Sequence, residues 1–547
     1  MSLTTTRLAR TLDPSLVRIF TLLKSVSTTK CGGAPLRVAG GWVRDMLLGK
    51  ESNDIDIAIE TPAGSPLITG AFFASQIEAF VRESEGVNAG LTGTISVIKT
   101  NPEKSKHIET AQMKVLGVPL EFCHLRHDEY TSGDHRVPEV RPGSPLEDAM
   151  RRDFACNALF YNLQTELVED FCGGLADLRS GVLRCPLNPY ETFMDDPLRM
   201  LRGVRFGGQL GFALHESITG ALTTPQPPLD MPYPFSSDVG PLHPLVHALL
   251  HKVSRERAAI ELSKSLGGPR PRLCIEHLAR LGLLQTAVLV EAHFSEKPKS
   301  RTARPDIIVP MVPGATVELQ SRMFANLELL HEVLEVTPEK ASTERIVASL
   351  SAVLEPVTQL APAAVVAEST NSRIDGAVLR WMKLPSRVSD GVKAVVSAAQ
   401  VLRPLAQALV SATMDSADSD SAVIFAGEVR TAVFTALKAL CLEARSPPPR
   451  WAVTTAVALA LSQSVEADGI RAVANAIAKD SGGSLLQSPV VPPLIRGDQL
   501  SAHISISRNE TGKALDAQRE FMLHNPGCSV QDVAAFLVQT FGTTPQQ

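Results

Sequence analysis

The sequence predicts an α/β head with a small mixed sheet, followed by a long all-α remainder. Two observations carry the head. An apolar run, Leu36 to Ala39, enters the pair Gly40-Gly41, and the alternation Asp54-Ile55-Asp56-Ile57-Ala58-Ile59 has the period of a half-buried strand. The third observation is that beyond about residue 315 apolar residues recur at helical spacing, in stretches such as Gln320 to Val336, Ser342 to Leu354, Gly391 to Val410 and Ala452 to Ser462. No strand alternation or internal repeat stands out there.

Within the head, the basic and Ser/Thr-rich first 24 residues have the composition of a weak organelle-targeting segment. Leu12, Leu16, Ile19 and Leu23 nevertheless recur at helical spacing and predict an ordinary first helix. After Gly40-Gly41 a short helix carries Arg44 and Asp45, and the strand of Asp54 and Asp56 follows. Residues two apart on a strand share a face, so these carboxylates project together while Ile55, Ile57 and Ile59 pack behind them. Two like charges so close are costly unless a cation bridges them. Hard oxygen ligands on a rigid strand suit Mg²⁺, which takes one or two carboxylates and completes its shell with water and phosphate. The glycine pair lets backbone approach a phosphate, and the helix start behind it offers free N–H groups. A solvated Asp face on a hairpin is the plain alternative.

Further on, residues 66 to 90 read as a helix, Leu91 to Ile98 as a second strand and Met113 to Leu125 as a third, on which Glu121 faces away from the apolar side. Residues 126 to 148 are polar, punctuated by Gly and Pro, and read as a long loop. The strand-like ACNALFYNL follows Arg151-Arg152-Asp153-Phe154. Asp196 followed by Pro197 reads as a helix start, with the aspartate as cap and the proline at the first helical position. The helix then presents Arg199, Arg202 and Arg205 every third residue. Cations spaced so closely repel one another and make sense opposite a triphosphate, with acidic groups or RNA phosphates as rival partners. A Pro-rich stretch, 223 to 245, reads as an insertion, and another break runs from His293 to Gly314.

At 547 residues, with 44% apolar and 20% charged content, the chain has room for several domains with cores of their own. No apolar run reaches the ~18 residues that a spanning helix requires, so no membrane partner is expected. The eight cysteines show no metal spacing and predict free thiols. A net charge of −5 excludes a global positive field, so RNA contact falls to local patches such as residues 1 to 50, where eight Lys or Arg stand against Asp13 and Asp45.

The run GGWVRD, followed by DIDI, resembles the polymerase-β-like nucleotidyltransferases that include tRNA nucleotidyltransferases (CCA-adding enzymes) and bacterial poly(A) polymerases. RRDFACNALFYN resembles the family's RRDFTxNALxYN, with Ala155 in place of Thr, and DFCGGLADL resembles its D-x-x-G-G-x-x-D-L hinge. The resemblance is dense from about Leu36 to Leu284 and returns in patches, including Pro492 to Pro526, which is similar to the terminal segment of the eukaryotic enzymes. It implies a class II enzyme that adds CCA to the 3′ end of tRNA from CTP and ATP without a nucleic-acid template. A two-metal Mg²⁺ site of Asp54, Asp56 and Glu121 is implied, with Gly40, Gly41, Arg44, Asp45, Arg152, Asp153, Arg202 and Arg205 around the nucleotide and Asp196 with Arg199 reading the base. The implied organisation is a head over 1–185, a neck over 186–290, a body over 315–485 and a tRNA-elbow-binding tail over 486–547. The expected location is cytoplasmic, with mitochondrial or nuclear pools. A poly(A) polymerase or an enzyme adding only CC or only A is the second reading, and a catalytically silent tRNA-binding module is the third. Intact Asp54, Asp56, Arg152, Asp153, Asp196 and Arg199 argue against the third.

Overall fold

The structure, a computed structural model, describes residues 3–8, 11–52, 54–85, 93–98, 110–129, 139–224, 243–288, 290–293, 307–310, 317–333, 343–358, 374–375, 377–378, 382–409, 427–441, 450–462, 467–479, 493–507, 510–525 and 528–542. They divide into two compact units, with the boundary in the described chain between Ser254 and Arg255. The segment 186–290 therefore contributes to both.

The first unit opens with strand β1 (Thr4–Thr6), helix α1 (Pro14–Lys30), β2 (Leu36–Ala39), α2 (Gly41–Leu47) and β3 (Ile55–Ile59). Asp13 caps α1 by accepting the Ser15 N–H, and Ile19 and Leu23 are fully buried, as the leucine spacing predicts. Next come α3 (Gly70–Glu85), β4 (Ser96–Ile98), β5 (Thr110–Val115) and β6 (Val118–His124). The third strand expected over Met113 to Leu125 is thus a hairpin. Leu116 and Gly117 both take positive φ, 50° and 82°, which matches the twist that a two-residue hairpin turn needs. The expected second strand is cut to Ser96–Ile98 among the described residues.

The stretch expected to be a structureless loop contains a two-stranded ribbon, β7 (Arg126–Glu129) against β8 (Glu139–Pro142), and then helix α4 (Pro145–Met150). Ser144 and Glu147 form a reciprocal capping box at the start of α4, a signal that the Gly/Pro punctuation masked. Residues 130–138 lie outside the described residues. The strand-like ACNALFYNL begins with a 3₁₀ turn, Ala155–Asn157, and only Phe160–Asn162 is strand β9. Strand β10 (Leu167–Asp170) and α5 (Gly174–Ser180) follow. The sheet is mixed, as expected, but larger than the small one anticipated: eight strands in the order β1-β10-β9-β2-β3-β6-β5-β4, with β3 and β6 parallel and the other pairs antiparallel.

One face of this sheet carries Leu36, Val38, Ile55, Ile57, Ile59, Leu120 and Phe122, all buried against α1 and α3. Phe73 of α3 meets Phe122 with ring centroids 5.7 Å apart. The contact is close because Gly70 has no Cβ; one placed there would lie 2.0 Å from the Phe122 carbonyl oxygen. The opposite face has a second, smaller core, in which Ala39, Ala58, Ala155, Ala158 and Phe160 pack together. The face of Asp56 is therefore partly covered rather than simply solvated.

The DFCGGLADL run is fixed in place. The buried Asp170 carboxylate accepts the backbone N–H groups of Cys172, Gly173, Gly174 and Leu175. A Cβ on Gly174 would lie 2.2 Å from the Ala155 carbonyl oxygen. Gly174 thus permits close packing, while Gly173, with a φ of 80°, uses the conformational freedom of glycine. The unit is completed by β11 (Val182–Leu183), α6 (Pro189–Asp195), α7 (Leu198–Leu210), β12 (Ala213–Leu214), α8 (Glu216–Thr223) and α9 (Pro244–Lys252). The greater part of the Pro-rich insertion lies outside the described residues.

The second unit is mainly helical, with helices at Arg255–Leu266, Pro271–Arg280, Val317–Val333, Thr343–Thr358, Ser386–Leu402, Gly427–Leu440, Arg450–Leu461 and Ala467–Lys479. An antiparallel ribbon, Val290–His293 against Ile307–Pro310, lies at the break expected between neck and body. The helix around Pro404 breaks where the proline predicts, passing into a 3₁₀ turn at Arg403–Leu405. In the C-terminal part, helices Thr511–His524 and Val530–Phe541 enclose a small core with Ile495, Leu500 and Ile504. The buried Gln518 amide there pairs with both the N–H and the carbonyl of Ile495. All eight cysteines are free thiols. Among the described residues no helix is long and apolar enough to cross a membrane.

Replacing Gly70 by Ala should lower stability by about 1–3 kcal/mol, the usual cost of overpacking, because its Cβ would meet a backbone carbonyl that cannot yield. Urea unfolding of the two proteins checks this.

Candidate active site

Strand register assembles the site. Ala39 of β2 stands opposite Asp56 of β3, Asp56 opposite Glu121 of β6, and Glu121 opposite Gln112 of β5. Paired residues share a face, so Asp56 and Glu121 project side by side from adjacent parallel strands. Asp54 lies exposed just before β3. Burial, reinforced by the charges of Asp54 and Glu121 and opposed by Arg152, raises the Asp56 carboxyl to about 7. A cavity of about 410 Å³ adjoins Asp54 and Glu121, lined also by Thr94, Gln112 and Lys114 among others.

The donor set suits a hard divalent cation: oxygen-only, like-charged and on a rigid sheet. The Glu121 carboxylate, however, accepts the Gln112 side-chain amide at 2.8 Å. Among the described residues no three acidic, histidine or cysteine groups converge closely enough to enclose an ion by themselves. Asp56 with Glu121 is the part of the expected triad that the fold brings together directly.

On the other side of Asp56, β2 ends at Gly40, whose φ of 73° lies in the left-handed region. A Cβ at Gly40 would also lie 2.8 Å from Nη1 of Arg152. Gly41 begins α2, which carries Arg44 and Asp45. Arg44 is 8% exposed. Its Nε and Nη2 donate to the Asp45 carboxylate at 2.8 and 2.9 Å, and its Nη1 donates to Oδ1 of Asn157 at 2.6 Å.

Arg152 is held by a residue that the sequence did not single out. Asp148, 1% exposed, accepts Nε and Nη2 of Arg152 at 3.1 and 2.8 Å through one oxygen and bonds Arg151 through the other. Burial pushes the Asp148 carboxyl up, but Arg152 and Arg151 outweigh it and hold it at about 2. The Arg152 guanidinium also lies 5.1 Å from the Phe160 ring centroid.

Asp153, 7% exposed, accepts the Phe154 N–H at 2.8 Å and the Asn157 amide at 3.0 Å, and pairs with Nη2 of Arg202 at 2.7 Å. Here too burial opposes ionisation, while Arg202, Asn157 and Arg199 bring the carboxyl to about 2. Asn157 bridges Arg44 and Asp153 and was another residue missed. Its place in a 3₁₀ turn hides it from strand periodicity.

The helix expected to start with Asp196 as cap and Pro197 as first residue begins one residue later: α7 starts at Leu198, with Pro197 before it. Asp196 retains part of the capping role, its Oδ1 accepting the Leu198 N–H at 3.3 Å. Its other oxygen stands 3.9 Å from Nε of Arg199, and Arg199 donates to the Arg151 carbonyl at 2.7 Å. Arg199 and Arg202 are thus tied to the Arg151-Arg152-Asp153 turn, while Arg205 donates to Gln209 at 3.0 Å.

Residues 36–184 match the family described as Poly A polymerase head domain, and residues 241–288 match the probable RNA and SrmB-binding site of polymerase A. The chain is 39% identical over 283 residues to the nucleotidyltransferase lcsQ of Purpureocillium lilacinum, covering 50% of this chain and 43% of that one. It is 40% identical over 249 residues to the mitochondrial CCA tRNA nucleotidyltransferase of Saccharomyces cerevisiae, covering 45% and 41%. The match spans less than half the length of these relatives. Among solved structures, apo form II of a CCA-adding enzyme shares the fold, with a TM-score of 0.58 at 18% identity over 97% of both chains.

Replacing Asp148 by Asn should cost roughly 3–5 kcal/mol at pH 7, because it leaves two arginines without their buried counter-charge. A carboxyl held below its unfolded value contributes stability above about pH 4 and loses it as pH falls toward 2. The gap between parent and variant should therefore narrow from pH 5 to pH 2, as denaturant unfolding across that range will measure.

Proposed function

We propose that the chain, whose residues 36–184 match the family described as Poly A polymerase head domain, is a template-independent nucleotidyltransferase that adds CCA to the 3′ end of tRNA from CTP and ATP. Asp56 standing beside Glu121, with Asp54 just before the strand, carries the reading. The name of the S. cerevisiae relative supports the tRNA substrate and a mitochondrial pool.

In the proposed reaction an RNA 3′-hydroxyl attacks the α-phosphate of the nucleotide and pyrophosphate leaves. Asp54, Asp56 and Glu121 would hold Mg²⁺, which when bound lowers the pKa of the hydroxyl and neutralises charge on the attacking and leaving oxygens. Gly40 and Gly41 let the backbone N–H groups at the start of α2 approach a phosphate. Arg152 beside Gly40, with Arg44, Arg202 and Arg205, fixes the triphosphate, and Asp45 holds Arg44 in place for it, so that the protein contributes positioning and electrostatics. Asp153 takes the ribose hydroxyl.

Asp196 and Arg199 account for the choice of base. Cytosine and adenine both present an amino donor beside a ring-nitrogen acceptor, so one carboxylate and one guanidinium satisfy either. Uracil and guanine reverse the order. Each unsatisfied polar group costs about 1–3 kcal/mol, so two mismatches give discrimination on the order of a hundredfold or more. The neck and the tail from residue 486 onward supply the RNA grip.

The deciding experiment offers tRNA lacking its 3′ end together with CTP, ATP or both, and sizes the products at nucleotide resolution. Addition of three nucleotides only with both substrates is expected; long A tracts indicate a poly(A) polymerase, and a one- or two-nucleotide product a partial enzyme. Asp54→Ala and Asp56→Ala should fold normally and lose at least ~10³-fold in rate, on the scale of electrostatic stabilisers of transferring groups. Near-normal turnover in either would contradict the assignment. Asp196→Asn should admit UTP, since an amide can donate to a carbonyl, while use of CTP and ATP falls. Unchanged base selectivity would leave Asp196 as a helix cap.

A further inference from the structure

Three arginines that the triphosphate reading needs share one neighbour, the ring of Phe206. The guanidinium carbon of Arg205 lies 4.0 Å from its centroid, that of Arg44 5.1 Å and that of Arg202 5.3 Å. Two elements contribute: Arg202 and Arg205 precede Phe206 on α7, and Arg44 comes from α2. The ring is 7% exposed and Arg44 and Arg205 are buried, so their contacts lie largely out of water, where a cation over an aromatic face is most strongly attracted, while Arg202 is one-third exposed.

Phe206 is itself fixed. Its ring meets Phe154 edge-on, with centroids 6.0 Å apart and planes at 80°. Phe154 comes close because Gly203 has no side chain; a Cβ there would lie 3.0 Å from the end of the Phe154 ring. Phe154 also follows Asp153, the partner of Arg202, so one aromatic pair locates both the cations and this carboxylate.

We infer that Phe206 is a positioning residue for nucleotide binding, whose ring quadrupole holds Arg44, Arg202 and Arg205 together against their mutual repulsion so that they meet a triphosphate as a preassembled set. This rests on the nucleotidyltransferase reading above. An aliphatic side chain of similar size would fill the volume and leave Arg44 to Asp45, Arg202 to Asp153 and Arg205 to Gln209, but would remove the one group that draws all three together. The first nucleotide phosphate would then have to gather them, which weakens binding rather than the chemical step.

The test separates ring electronics from ring volume. Phe206 is replaced by mono-, tri- and pentafluorophenylalanine, which drain the quadrupole in steps while nearly preserving shape, and by Leu. Binding of ATP and of inorganic tripolyphosphate is measured by calorimetry, KM and kcat for nucleotide addition by initial rates, and Tm by thermal unfolding. Tripolyphosphate binding should weaken with each step, by about tenfold for the pentafluoro ring, as expected from losing part of several cation–π contacts. KM should rise more than kcat falls, and Tm should move little along the fluorinated series. Affinity that is flat across the series, or that tracks Tm alone, overturns the inference and leaves the functional reading intact. Failure of the unsubstituted protein to bind either ligand overturns both.

Discussion

Two carboxylates held side by side across a parallel strand pair are the constraint on which the head depends. Asp56 and Glu121 would relax apart on a flexible support; here the hydrogen-bonded ladder of β3 and β6 keeps them opposite one another. Parallel pairing needs a crossover. Helix α3 supplies it, packed through Phe73 and Gly70 onto β6. The apolar face of the sheet thus absorbs the cost of the charged one.

The cationic side of the site is built by the same logic. Arg152 and Arg202 would be poor neighbours without buried counter-charges. Asp148 and Asp153, both pulled to about 2, supply them. These carboxylates face two ways. Each fixes an arginine by direct hydrogen bonds, Asp148 from within α4 and Asp153 from the turn that follows it, so one short segment positions both guanidinium groups. Small residues beneath it, Ala39, Ala58, Ala155 and Ala158, let that turn approach the sheet. Ala155, where the resembling motif has Thr, is one of these packing residues, fully buried with its N–H donated to the Arg184 carbonyl at 2.8 Å.

Glycine enters the site at two distinct kinds of position. Gly40 is needed for its backbone conformation and for the guanidinium that lies over it. Gly174 is needed for close approach to the Ala155 carbonyl, beside a carboxylate that ties down four amides. A pair of glycines in a sequence does not distinguish freedom from tight packing, and the segment that resembles a hinge uses both: Gly173 takes a φ of 80° and Gly174 packs against backbone.

The sequence by itself determined the strand of Asp56, which begins just after Asp54, the turn and helix at Gly40-Gly41, the arginine stripe at Arg199, Arg202 and Arg205, and the helical nature of most of the second half. Each rests on local periodicity or on the backbone preferences of Gly and Pro, which act over a few residues. Tertiary structure alone decided that Glu121 lies opposite Asp56, that Asp148 and Asn157 hold Arg152 and Arg44, and that Phe206 lies among three guanidinium groups. Asn157 and Arg44 are separated by 113 residues, and no local pattern encodes such a meeting. The hairpin at Leu116-Gly117 and the ribbons at 126–142 and 290–310 belong to the same class. Their strands are short, and a strand of four residues gains its stability from the partner it pairs with rather than from its own alternation.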